Sequence, residues 1–170
     1  MQTMHDKDSK PSNDDFTIRM SEIADAYQIS ALYKRVWDEY DTLMPRELRE
    51  SRQPSVSEMR EWMKRETYIV AAIGSEVVGV VGCRLMHGTC QLTHMAVDKP
   101  HRGAGIGTAL VKKAIDFARS KKSHKIWLDT APFMEEAISI YMKFGFRKSG
   151  YLKKHFWGLD IELYELVLSP

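Results

Sequence analysis

The chain has 170 residues, 44% apolar and 28% charged, enough for one domain with a packed core. A formal net charge of only +2 argues against a general nucleic-acid binder, which carries a stronger basic excess. No apolar run reaches membrane-spanning length and no apolar signal core opens the chain, so the expected compartment is the cytoplasm; the two cysteines, Cys83 and Cys90, are too few for a disulfide framework or a metal-ligand set.

Residues 1–15 carry almost no apolar side chains and read as a flexible tail, leaving 16–170 as the folded domain. FTIRM (16–20) alternates and predicts a first strand. Ser21 is placed to cap a helix through Trp37, whose apolar residues Ile23, Ala26, Tyr27, Ile29, Ala31, Leu32 and Val36 follow a helical period. WDEYDTLMPRELRE is polar and broken by Pro45, and a second helix is predicted from Ser55 or Ser57 to Arg65. YIVAAI (68–73), VVGVVGCRL (77–85) and CQLTHMAV (90–97) are three β-like runs joined by short turns, an antiparallel meander. Ile106, Leu110, Ala114, Phe117 and Ala118 then share one helical face. KIWLD (125–129) reads as a buried strand. A helix follows, with Pro132 as its first residue and Gly145 as its end. Strands over 146–153 and 161–168 complete the chain. The order predicts an α+β fold, a mixed and mostly antiparallel sheet flanked by helices, with one strand–helix–strand crossover.

The stretch HRGAGIGTAL, His101 to Leu110, lies where a strand hands over to a helix. The first amides of a helix have no internal partner, and the helix dipole adds positive character there. Gly103, Gly105 and Gly107 let a ligand approach the backbone, so the expected guest is a pyrophosphate. A P-loop needs a Lys after its last glycine, and none occurs before Lys112. A dinucleotide fingerprint needs a third glycine where Thr108 stands, and needs the strand to run directly into the glycines. Asp98 to His101, including Pro100, intervene here.

Arg102-x-x-Gly105-x-Gly107 resembles the R/Q-x-x-G-x-G/A motif of the GNAT N-acetyltransferase superfamily. AISIYMKFGF (137–146) resembles that family's second hallmark, Ala-x-x-x-Tyr-x-x-x-Gly-Phe, and both stand in the family's order with KIWLD between them. The similarity extends over roughly 16–168. It implies the GNAT sheet, acetyl-coenzyme A as co-substrate, no metal, and acetyl transfer to a primary amine. On the same resemblance, amides of Arg102, Gly103, Ala104, Gly105, Ile106, Gly107 and Thr108 hold the pyrophosphate, and backbone groups of Met95, Ala96 and Val97 meet the pantetheine arm. Tyr141 matches the tyrosine beside the coenzyme sulfur, a proton donor to the departing thiolate. Met134 stands where the family commonly has an asparagine on the pantetheine arm.

A protonated amine cannot attack, so a base is sought. His94 has the right chemistry, and strand alternation puts it on the face opposite Thr93; Glu39 and Asp129 are carboxylate alternatives. Trp37, Glu39 and Tyr40 combine aromatic and acidic character suited to a cationic acceptor, with His155, Phe156, Trp157 and Asp160 as second candidates. The expected partner is a small-molecule or peptide amine, not a nucleic acid or a membrane; a homodimer is the assembly to test. A non-catalytic acyl-coenzyme A sensor on the same fold is the competing reading.

Overall fold

Uninterrupted apolar runs make the central strands. In the computed structural model, which describes residues 15–168, β2 (Thr67–Ile73), β3 (Glu76–Met86) and β4 (Thr89–Val97) are buried through most of their length. That is the pattern of strands covered on both faces. With β1 (Thr17–Met20), β5 (Lys125–Thr130), β6 (Arg147–Phe156) and β7 (Leu159–Val167) they form a seven-stranded sheet in the order β1-β2-β3-β4-β5-β7-β6. Every neighbouring pair is antiparallel except β4 and β5, which are parallel. The helix α4 (Ile106–Ser120) makes that crossover. The α+β sheet thus has the expected character. Apart from Asp15, the tail expected over 1–15 lies outside the described residues.

The helices sort to the two faces by their apolar stripes. Ala26, Ile29, Leu32, Tyr33, Val36 and Trp37 of α1 (Ala26–Asp38) are buried with Met59 of α3 (Val56–Arg65) against Tyr68, Val70, Val80 and Ala96. On the other face, Ile106, Leu110, Val111, Ala114 and Ala118 of α4 pack with Ile69, Val81, Leu92, Ile126 and Phe146. Both cysteines are free thiols in this second core.

Several boundaries differ from the sequence reading. Ser21 caps nothing; Glu22 and Asp25 make a reciprocal capping box on a 3-10 turn (Ile23–Asp25), and α1 begins after it. Asp25 holds this corner because its carboxylate takes both the Arg19 guanidinium, at 2.8 and 2.9 Å, and the Glu22 amide. The polar stretch after Trp37 contains a short helix, α2 (Arg46–Ser51), begun by Pro45. Ser55, not Ser57, caps α3: Glu58 N–H donates to its hydroxyl at 3.2 Å, and its own amide donates to Glu58 at 2.8 Å. Pro132 lies in a turn, and α5 runs Glu135–Lys143 with Met134 at its N-cap. Gly145, at φ 92°, ends that helix as expected.

Two features of β4 set up the site. It pairs with β5 only from Thr89 to Gln91, so its edge from Leu92 onward has no β5 partner. The pairing of β3 with β4 also shifts between Val80–Ala96 and Gly82–Thr93, which inserts a bulge at His94 and Met95.

Candidate active site

The glycine loop and the start of α4 form one wall. Gly103 and Gly105 have φ of 79° and 84°, the left-handed region where a side chain is strained. Gly105 is the N-cap of α4 and contributes no side-chain cap. Among the described residues, the backbone amides of residues 103–108 have no recorded acceptor. Here the loop presents a row of donors at the positive end of a 15-residue helix. At Gly107 the helix packs closely on α5: a Cβ there would sit 2.9 Å from Ile140 Cδ1, the tip of a side chain that would have to turn aside.

A groove of about 890 Å³ runs from this loop past the free part of β4 to α1 and α5. Arg102, Gly103, Gly105, Ile106, Gly107 and Thr108 line it, as do Met95, Ala96 and Val97. Ala104, also expected at the loop, is buried and does not line the groove. Met134 and Phe133 line the wall opposite the loop, with a thioether where a hydrogen-bonding amide was expected. The Arg102 side chain is already engaged. Its Nε donates to the Val97 carbonyl at 3.0 Å, and its two terminal nitrogens bind both oxygens of Glu39 at 2.8 and 3.0 Å. Glu39 is therefore a brace between the end of α1 and the loop, while Trp37 and Tyr40 line the groove beside Phe133.

The bulge changes the expectation for His94. At φ 45° it breaks the alternation, so His94 and Thr93 face the same side of the sheet. The His94 ring stacks on Trp62 at 4.9 Å and meets the edge of Tyr33 at 6.1 Å, while Thr93 donates to Glu66 at 2.7 Å. The Tyr33 hydroxyl donates to the His94 carbonyl at 2.7 Å and so pins the bulge. The imidazole Nδ1 is wholly buried and has no partner among the described residues. Burial, helped by the nearby Arg52 and Arg84 guanidiniums, pushes its pKa down to about 4. A ring held neutral in this way is a weak proton acceptor.

Tyr141, on α5, is buried with its ring 5.7 Å from Phe146. Its hydroxyl makes no hydrogen bond among the described residues. Burial, followed by the Asp129 carboxylate, raises its pKa well above the ordinary phenol value, so it carries its proton at neutral pH. Asp129, near the end of β5, accepts from Gln91 Nε2 at 3.1 Å and lies 4.0 Å from Arg52. Arg52, just past α2, was missed by the sequence reading. Nothing local marks it among the charged residues of RELRESR, and only packing carries it over the Trp37 ring, 5.2 Å from the ring centre. The second candidates separate. Phe156 packs on the α1 core, Trp157 is exposed in the last turn, and Asp160 braces that hairpin through Tyr151 and the Lys154 amide.

Known proteins resemble this chain in sequence and in fold. The model of the Acetyltransferase (GNAT) family matches residues 29–146. Human N-acetyltransferase 8B is 36% identical over 101 residues, covering 56% of this chain and 44% of that protein. The chain thus spans about half the length of the curated relatives it matches. Among solved structures, ribosomal-protein-alanine N-acetyltransferase from Brucella melitensis superposes with a TM-score of 0.76 at 23% identity, covering 89% of this chain and 99% of that one. Spermidine N-acetyltransferase from Vibrio cholerae, in complex with CoA and spermine, gives 0.72 at 20% identity, with 91% and 96% covered.

Proposed function

The chain belongs to the GNAT acetyltransferase family, and from that premise we propose that it moves an acetyl group from acetyl-coenzyme A to a primary amine by direct attack. The observation that carries this reading is the row of unpartnered amides at residues 103–108, opening on a groove bordered by the free edge of β4. Those amides suit a pyrophosphate, and the unpaired edge of β4 offers backbone groups to an extended amide-bearing arm. Acetyl-coenzyme A supplies the activated acetyl thioester. The amine nitrogen forms the new C–N bond as the C–S bond breaks, and one amine proton is lost. Tyr141 holds a proton at neutral pH in a buried setting and gives it to the departing thiolate. Asp129 is the best-placed proton acceptor of the three candidates, because it acts on Tyr141, protonation of His94 is opposed by burial, and Glu39 is committed to Arg102. The Arg102 amide, expected among those on the pyrophosphate, donates instead to the Lys99 carbonyl at 3.3 Å, and its side chain is committed to Glu39 and Val97, so Arg102 braces the loop.

The test is release of coenzyme A thiol from acetyl-coenzyme A in the presence of polyamines, amino acids, amino sugars and peptides. Amine-dependent release supports the proposal. Stabilisation by acetyl-coenzyme A with no release for any amine would replace the enzyme by an acyl-coenzyme A sensor.

A further inference from the structure

Arg52 is a cation whose contacts, a 4.0 Å ion pair with Asp129 and the face of Trp37, leave its donors without a hydrogen-bond acceptor among the described residues. Its side chain is only 17% exposed. Its Nε is wholly buried without a partner, and no hydrogen bond from its guanidinium is recorded among the described residues. A guanidinium carries five donors, and burying them without acceptors is costly. The neighbouring arginine shows the contrast. Arg84 is paired with Glu66 and also reaches Gln91, so its donors are used. Arg52 instead lies over the Trp37 ring, with Asp129 at 4.0 Å, too far for a hydrogen bond. Asp129 is itself 21% exposed and spends one oxygen on Gln91, so its other oxygen stays available.

The pair lies beside the residue assigned to proton donation. Tyr141 ionisation is raised by Asp129 and lowered by Arg52, which puts both charges within electrostatic reach of its hydroxyl. Arg52 also acts on His94 and Tyr33, the residues at the bulge of β4. A carboxylate is the planar bidentate complement of a guanidinium. With Asp129 4.0 Å from the guanidinium, a ligand carboxylate seated on Arg52 would carry its α-amino group, one carbon away, towards Asp129. We propose that the acceptor is an α-amino acid, its carboxylate received by Arg52 and its amino group by Asp129. A polyamine would bring a second cation against Arg52, and a peptide N-terminus would bring a neutral carbonyl in place of the carboxylate.

The inference rests on the acetyltransferase reading, and the experiment separates the two. Coenzyme A release is measured with each of the standard L-α-amino acids, with spermidine and with an alanyl peptide. The best amino acid is then compared with its α-amide and with the amine lacking the carboxylate. The expected result is a kcat/KM for the acid at least about tenfold above both analogues, since a site built for a polar group rejects ligands that leave it unpaired. Arg52→Gln is expected to lower kcat/KM for the acid at least about tenfold while changing the amide less than about threefold, and Arg52→Lys to fall between. An unchanged thermal shift with acetyl-coenzyme A identifies a folded variant. Turnover of spermidine or the peptide but of no amino acid overturns the inference and leaves the acetyltransferase reading standing. Equal turnover of acid and amide, or an equal loss for both in Arg52→Gln, also overturns it. Acetyl-coenzyme A that neither binds nor turns over overturns both.

Discussion

Gly105→Val tests whether the loop at the start of α4 holds a pyrophosphate. Gly105 sits at φ 84°, ψ 7°, and a β-branched residue in that region costs about 1–2 kcal/mol. Domains are typically stable by about 5–15 kcal/mol, so the variant is expected to fold. Its melting temperature should drop by roughly 2–8 °C, given about 2–4 °C per kcal/mol for a chain of this size. The effect on binding is larger in consequence. Relaxing the strain turns amides of residues 103–108 away, and the new side chain occupies their approach. Losing two charge-assisted hydrogen bonds at about 1.5 kcal/mol each weakens binding roughly 100-fold. With acetyl-coenzyme A at 100 times the parent Kd, the parent gains about 2.7 kcal/mol, a rise of roughly 5–10 °C. The variant at the same concentration gains about 0.4 kcal/mol, a rise of about 1–2 °C. The assay is thermal unfolding of both proteins with and without acetyl-coenzyme A. A variant that keeps a rise of 5 °C or more, at about the parent's affinity, would refute the assignment of the pyrophosphate to this loop.

Tyr141→Phe keeps the ring against Phe146 and removes the hydroxyl, so kcat should fall at least about tenfold with the acetyl-coenzyme A thermal shift unchanged; a kcat within about twofold of the parent makes Tyr141 a packing residue. His94 titrates near 6.5 when unfolded and about 4 when folded, so stability present above pH 6.5 is lost as pH falls towards 4. Between pH 7 and 4.5 this loss is about 2–3 kcal/mol. His94→Asn, tolerated at φ 45°, should lose that much less than the parent over the same range in urea unfolding, and parallel pH profiles would contradict the burial argument. Gly82→Ala drives a methyl group onto Thr93 Oγ1 and Tyr68, and should destabilise by about 1–3 kcal/mol in urea unfolding; an unchanged midpoint would mean that the Glu66 network yields freely.

Strands and glycine turns were the legible elements, while the helix starts expected at Ser21 and Pro132 fell elsewhere. The alternating and continuous apolar runs made the meander visible, because strand periodicity and turn glycines are short-range signals. The glycines before α4 and Gly145 after α5 were equally legible, since a left-handed φ is written into the residue type. Errors fell where weak local preferences met tertiary packing. The helix α2 has a single buried residue, Leu48, and no apolar stripe to announce it, while α1 starts at Ala26 because the Arg19–Asp25 pair joins it to β1.

The residue types, the glycine loop and the tyrosine motif are thus determined by the sequence alone, because each depends on neighbours within one turn or one strand. Only the tertiary structure decided which of those residues meet. Strand alternation put His94 opposite Thr93, and a bulge held by Tyr33, 61 positions away, turned both to one face. Glu39 read as an acceptor residue until Arg102 reached it across 63 positions. Arg52 had no signal at all, because its meaning lies in Trp37, Asp129 and Tyr141, brought around it by three different elements. Charge and hydrogen bonding act through space, and the distances that govern them are set by the packing of both cores rather than by spacing along the chain.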